Sequence, residues 1–460
     1  MTPPRTSPRD LPRPIGLLRA TALVVGTIIG ASIFVQPSVI SGEVPAVGGM
    51  LLVWAVAGAL TLIGALVTAE LASAFPRTGG VYVFLTESFS PLVGFLWCWA
   101  MFWSMHTGII AALAMVFARY VGHFVPLDAG TLRIVAIGAI LALSAVNYAS
   151  VRQGSALQTG LTVIKVVAIA LVVALGAAYS LGAIPAAGAT PATAIEAVRG
   201  AVPSWGAFTT AIVAALFAYG GWHMVTYAAG ETVDPTRTIP RALLVGTLVV
   251  TACYIGVNAA YLTVLPLHTV VSSNRVAADF ADAVLGAGGA ALLSALVIVS
   301  TLGSMTGIIL AGPRAYASAA ADGLLPRWVG TVHPRFRTPH HAIVAQAVWA
   351  SVLVATGTYR ALFTRVVYTE WIFFGLMAAG TFLLRRRAEY TPRYRAWGYP
   401  VLPTVFIGST VLIVASQLLR QPGESIIGLL FVLAGVPVYY VMADARRRRQ
   451  SPEIAPDADR

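Results

Sequence analysis

Charge is scarce in this 460-residue chain. Lysine occurs once, cysteine twice, Asp and Glu together supply 18 residues, and charged residues make up 10% of the sequence against 58% hydrophobic. A soluble globular chain carries nearer a quarter charged residues, so a soluble fold is excluded. The single lysine, Lys165, follows Ile164. The Gly-Lys pair of a phosphate-binding loop is therefore missing, which excludes an ATP-driven pump on this chain. There is no Gly-x-Ser-x-Gly elbow and no paired metal-ligand motif, and the carboxylates read as lying at helix ends. An enzyme is not expected, nor any cofactor. Cys98 and Cys253 both fall inside hydrophobic runs, so no structural disulfide is expected.

What is abundant is apolar sequence in runs long enough to cross a bilayer, which needs about 20 residues. Twelve are read: 17–40, 47–72, 91–118, 132–150, 158–180, 206–230, 241–265, 286–313, 340–357, 362–384, 401–419 and 425–443. They leave short tails at 1–16 and 444–460 and no stretch large enough for a soluble domain. Arg5, Arg9, Arg13 and Arg19 before the first run imitate a signal peptide, but the run is too long for a signal core and ends at no clear cleavage site.

The net charge of +12 is distributed for a membrane, not for nucleic acid. With the N-terminus taken as cytoplasmic, inner segments hold 22 of the 29 arginines and outer segments 7. That asymmetry places both termini in the cytoplasm, in a cell (inner, plasma) membrane. The Arg446–Arg449 run reads as a stop signal facing anionic lipid.

Every other basic residue is arginine, so the retention of an amine at Lys165, among Leu161, Val163, Val166 and Ile169, marks either a coupling group or a structural tie between helices. Two runs are broken. The first carries Gly26-Thr27-Ile28-Ile29-Gly30-Ala31-Ser32, and the sixth Phe217-Ala218-Tyr219-Gly220-Gly221-Trp222. Each paired glycine weakens a helix by about 1 kcal/mol against alanine. Glycine-interrupted segments at corresponding places in two halves point to a transporter binding site, because unwound backbone in lipid must line a polar cavity. Free N–H groups near Gly30, Ala31 and Ser32 suit a carboxylate, and free carbonyls of Ile28, Phe217 and Ala218 suit an ammonium. Gly26-x-x-x-Gly30 also fits close helix packing.

These strings resemble the amino acid–polyamine–organocation transporters, with the L-type amino acid transporter branch nearest. Further matches are Gly230-Glu231-Thr232 through Ala242, Phe75-Pro76-Arg77-Thr78-Gly79-Gly80, Gly303-Ser304-Met305-Thr306-Gly307 and Glu370-Trp371-Ile372-Phe373-Phe374-Gly375. The likeness runs from about residue 15 to 440.

It implies an all-α membrane protein of twelve transmembrane helices. Five plus five of them form an inverted repeat (about 17–180 and 206–384), with two extra helices at 401–443 inside a transporter domain of 17–443. It also implies sodium-independent amino acid transport by alternating access, with substrate held at Ile28, Gly30, Ala31, Ser32, Phe217, Ala218 and Gly220. Phe217 would be a gate. Lys165 would take the place of a sodium ion between helices one and eight, with Ser300 and Ser304 as hydroxyl partners. One departure is Ser32, where the family usually has glycine; its Cβ and hydroxyl narrow the pocket or add a hydrogen bond. Eukaryotic members pair with a heavy subunit through an outer-loop cysteine, and 119–131 has none, so that partner is not expected.

His106, Trp222 and His223 are candidates for a side-chain pocket, or ordinary packing residues. Glu70 and Glu231 are read as near Arg77 and Arg237, in gate pairs or at solvated helix ends. His333, His340 and His341 lack acidic or cysteine company, so no metal site is expected. With no buried acid expected in the side-chain pocket, a neutral amino acid is the expected substrate, moved by proton coupling or by exchange. Alternatives are a transporter-like sensor and a permease for cationic amino acids or polyamines.

Overall fold

The computed structural model describes residues 13–183 and 204–450 except 274, 287 and 358, and omits the side chains of 359–367 and 445–450. Most of the two tails, and the Arg446–Arg449 side chains, lie outside the described residues. Helix is the regular structure throughout the described residues, with one isolated parallel bridge between Ile15 and Thr232.

The first hydrophobic run is two helices, α1 (Leu17–Ile28) and α2 (Ser32–Glu43), bent by 44° at the break. α3 (Val47–Ala74) follows, then a short α4 (Val81–Ser88). α5 (Pro91–Ala100) and α6 (His106–Val121) form one 31-residue apolar stretch through a π turn at Met101–Met105. A smooth helix was expected there. Because a π turn needs only one extra residue per turn, neither glycine nor proline announces it. α7 (Ala129–Ala149) and α8 (Val151–Ser180) meet at Ser150, whose hydroxyl accepts from the Gln153 amide and caps α8.

The sixth run opens as α9 (Trp205–Ala218), breaks over Tyr219–Gly221, and continues as a 3₁₀ helix, Trp222–Glu231. α10 (Pro235–Val264) is followed by two short helices, α11 (Leu267–Ser272) and α12 (Val276–Leu285), where no element was expected. α13 (Gly289–Ala321), α14 (His340–Thr356), α15 (Tyr359–Leu384), α16 (Val401–Arg420), α17 (Pro422–Leu433) and α18 (Gly435–Gln450) complete the chain.

Among the described residues nine helical stretches are long and apolar enough to cross a membrane, and the bent α1–α2 pair makes a tenth. The remaining two hydrophobic runs meet shorter apolar helices, His340–Thr356 and Tyr368–Leu384. α1 lies between α8, α10, α13 and the 3₁₀ helix. Its break is buried within the protein, away from lipid, which is the condition for unwound backbone at membrane depth.

The helix ends that lie beside the N-terminal segment are tied by polar bonds. Glu70, at the end of α3, takes both Nε and Nη2 of Arg385 at 2.8 and 2.5 Å. The same carboxylate accepts from the Ala396 amide at 2.7 Å and the Tyr390 hydroxyl at 3.2 Å. Burial, and then the Glu70 charge, raise the Tyr390 phenol above its usual range. Glu231 accepts from Arg314 Nε at 2.7 Å, with both side chains buried. Ile15 is pinned to the end of the 3₁₀ helix, its amide bonding to Glu231 O and its carbonyl to the Val233 amide. The expected partners are therefore corrected. Arg77 pairs with Glu87 and Arg237 with Asp234, both exposed, because helix packing brings Arg385 and Arg314 to the carboxylates from 315 and 83 residues away.

Removing one partner from a buried pair strands the other charge, at a cost of about 3–5 kcal/mol. Arg314→Met should therefore markedly lower the thermal unfolding midpoint in detergent, and adding Glu231→Gln should recover most of the loss. An unchanged midpoint for the single variant would contradict this account of the pair.

Candidate functional site

Each break is created by the residues that interrupt it. α2 begins at Ser32 with Ala31 as its N-cap, and no side chain caps it. The first amides of a helix have no intrahelical partner, so this end offers N–H groups to an anion. The second break turns on Gly221, whose φ of +109° is left-handed and favours a residue without a Cβ. A Cβ there would also stand 2.9 Å from the Thr27 carbonyl oxygen. The two breaks are thus in van der Waals contact, and Thr27 Oγ1 lies 3.1 Å from Gly221 O.

Between them lies a cavity. Of the residues singled out from sequence, Ile28, Gly30, Ala31, Ser32, Phe217, Gly220, Trp222 and Ser304 line it. Phe217, half-buried at the end of α9, forms one wall, and Trp222, packed on Phe374 with ring centroids 4.6 Å apart, forms another. Ala218, His106, His223, Lys165 and Ser300 are not among the cavity's lining residues. Gly26 and Gly30 divide the two readings of their motif. Gly26 is packed so tightly on Gln158 and Thr162 that a Cβ would come within 2.1 Å of Gln158 Nε2, whereas Gly30 faces the cavity.

Lys165, fully buried on α8, reaches across to the first break and to α13. Its Nζ lies 2.6 Å from Ile29 O, 3.1 Å from Gly26 O, 3.1 Å from Ser300 O and 3.2 Å from Ser304 Oγ. Ser304 Oγ is itself 2.8 Å from Gly26 O and 2.9 Å from Ile29 O, and Ser300 Oγ is 3.2 Å from Gly30 O. Three groups from α8 and α13 therefore satisfy the carbonyls that the break releases. Gly303 makes the room: a Cβ there would stand 3.2 Å from both Cε and Nζ of Lys165.

Two side chains were missed. The Tyr254 hydroxyl, on α10, lies 3.1 Å from Ile28 O and 2.9 Å from Ala218 O. It has one proton, so it satisfies one carbonyl at a time, and the two carbonyls expected to be free for an ammonium share this donor. Tyr254 is one aromatic in a long apolar helix, and no spacing distinguishes it. The second is Glu370. It is 6% exposed, lines the cavity beside Trp371 and Phe374, and its Oε1 has no hydrogen-bond partner. The expectation that no buried acid lies in the side-chain pocket is thereby overturned. Glu370 is in the body of α15, not at a helix end.

Tyr254→Phe deletes the shared donor while keeping the ring. Leaving a buried carbonyl unsatisfied costs about 1–3 kcal/mol, so the unfolding midpoint should fall, measured by differential scanning fluorimetry in detergent. An unchanged midpoint would show that the hydroxyl is dispensable to the paired breaks.

Comparison with known proteins agrees with this geometry. Residues 15–442 match the amino acid permease family model. The chain is 32% identical to the serine/threonine exchanger SteT of Bacillus subtilis over 445 residues, covering 95% of this chain and 98% of that protein. It is 31% identical to the human b(0,+)-type amino acid transporter 1 over 446 residues (95% and 89%) and 31% identical to the human large neutral amino acids transporter small subunit 2 over 436 residues (94% and 80%). With broken helices enclosing a cavity and a likeness spanning nearly its whole length, the chain belongs to the amino acid permease family, within the amino acid–polyamine–organocation superfamily of membrane transporters.

Proposed function

We propose that this chain exchanges amino acids across the plasma membrane by alternating access, without sodium. The reading uses twelve transmembrane helices, α1–α2 counting as the first and α9 with its 3₁₀ helix as the sixth. An inverted repeat relates about 17–180 to 206–384, and both termini are cytoplasmic, as the arginine asymmetry supports. The substrate carboxylate meets the amides at Gly30, Ala31 and Ser32. Its ammonium meets whichever of the Ile28 and Ala218 carbonyls Tyr254 leaves free; the Phe217 carbonyl, expected free, accepts from the Gly220 amide at 3.1 Å. Phe217 closes over the substrate. Glu70–Arg385 and Glu231–Arg314 then lie at the inner end and hold it shut in this state. No disulfide-linked heavy subunit is proposed.

The observation that carries exchange over proton coupling is the surroundings of Lys165. Three backbone carbonyls converge on its Nζ at 2.6–3.1 Å, and carbonyls only accept. An ammonium has a proton for each, whereas a neutral amine would turn its lone pair toward one of them. A cation that stays charged fixes the first break to α8 and α13 without needing a coupling ion. Proton coupling is the competing reading. The substrate is an amino acid; Glu370 supports one whose side chain carries an N–H or O–H donor, over the purely apolar class.

In proteoliposomes, uptake should depend on internal amino acid and not on an imposed pH gradient. Acceleration by the gradient with empty vesicles would replace exchange by proton coupling. Lys165→Arg keeps the charge but brings a larger planar group against Gly303, and should reduce uptake at least tenfold. Wild-type uptake by that variant would make Lys165 an ordinary tie. In a competition panel, Ser, Thr, Asn, Gln and Lys should outcompete Val and Leu, and Glu370→Ala should erase the preference.

A further inference from the structure

Behind the side-chain end of the cavity three residues from three elements converge. His106 opens α6 immediately after the π turn, His223 is the second residue of the 3₁₀ helix, and Glu370 is on α15. One ligand atom from each lies within 4.8 Å of the others. The two histidines are fully buried and Glu370 nearly so. Neither nitrogen of either imidazole has a hydrogen-bond partner, nor does Glu370 Oε1.

Five bare polar atoms packed against the rings of Phe374, Trp97 and Tyr227 need an explanation, because buried polar groups are otherwise almost always satisfied. If the three residues formed a hydrogen-bonded relay, their atoms would pair directly at about 2.7–3.2 Å, and they do not. Their separation suits something between them. Nitrogen and oxygen ligands stand about 2.0–2.2 Å from a zinc ion, so tetrahedral neighbours are about 3.3–3.6 Å apart. A set within 4.8 Å therefore closes on an ion with shifts of at most about 1 Å per ligand atom. A His-His-Glu set with imidazole donors selects zinc, cobalt, nickel or copper over magnesium or calcium. Three protein ligands leave a coordination position open, and Glu370 connects the set to the cavity it lines. π turns recur at functional sites, and here one sets the direction of His106.

We propose that His106, His223 and Glu370 form a binding site for a divalent transition-metal ion at the side-chain end of the cavity. The ion takes the Glu370 carboxylate, the same group assigned above to a substrate donor, so metal and donor-bearing side chains compete for it. The proposal rests on that carboxylate facing the cavity and not on transport, and binding is measured without transport.

The full chain is purified in detergent, stripped with a chelator, and titrated with Co2+ and Zn2+, followed by equilibrium dialysis and metal analysis. One Zn2+ per chain and a ligand-field absorption band with Co2+ are expected. Glu370→Gln and His223→Ala should each weaken Zn2+ binding at least a hundredfold. The half-buried histidine pair that opens α14 provides the control, since His340 and His341 have ring centroids 3.9 Å apart; His340→Ala should leave the ion bound. If His223→Ala aggregates, His223→Gln replaces it. A featureless Co2+ spectrum in the wild-type chain overturns the proposal, as does Zn2+ binding lost in His340→Ala and retained in Glu370→Gln. With the site occupied, Zn2+ should slow uptake of donor-bearing amino acids in proteoliposomes. Loss of transport with intact metal binding would instead refute the transport reading alone.

Discussion

An unwound turn of backbone inside a bilayer has to find its hydrogen bonds somewhere, and here one amine gathers two of its carbonyls and ties them to a third on α13. Lys165 draws Gly26 O, Ile29 O and Ser300 O onto a single nitrogen, with Ser304 and Ser300 covering what remains. A buried charge in contact with apolar helix would be prohibitive alone; surrounded by carbonyl dipoles it becomes the centre that the first break forms around. The glycines follow from this arrangement. Gly303 leaves space for the amine, and Gly221 allows the second break to approach the first.

From that centre the two breaks acquire complementary ends. One offers helix amides with no cap, the other offers carbonyls, and Tyr254 spans the pair with one hydroxyl that can serve either side. In the proposed binding mode a zwitterion is matched by backbone alone, which leaves side chains free to set what else fits. Phe217, Trp222, Trp371 and Phe374 supply apolar walls, and Glu370 the only carboxylate among the described lining residues. Backbone recognition of this sort suits a family whose members are named for quite different amino acids.

How much of this was readable beforehand depended on whether a residue was rare or common in its surroundings. Lys165 is conspicuous because the chain has no other lysine, and Ser300 and Ser304 came with the family resemblance, which sets Lys165 against helix eight. The breaks were visible because glycine in an apolar run has a definite backbone effect. Tyr254 had no such contrast. Glu370 was misplaced because carboxylates were assumed to sit at helix ends, a rule that fails where a cavity reaches the helix middle. The ion pairs of Glu70 and Glu231 escaped because sequence neighbours Arg77 and Arg237 looked sufficient, while their true partners are set by helix packing. The π turn at Met101–Met105 left no residue signature at all, and it decides where His106 points.

The bonds at the first break also span a long interval of sequence. Gly26 O and Ile29 O are made early in synthesis, but their donors are Lys165 and Ser304, more than 130 and 270 residues later. Until α8 and then α13 enter the membrane, the leading span carries polar groups that lipid cannot satisfy. It therefore cannot settle as a finished helix pair when it first inserts. The bend between α1 and α2 therefore takes its native form only once α13 is in place.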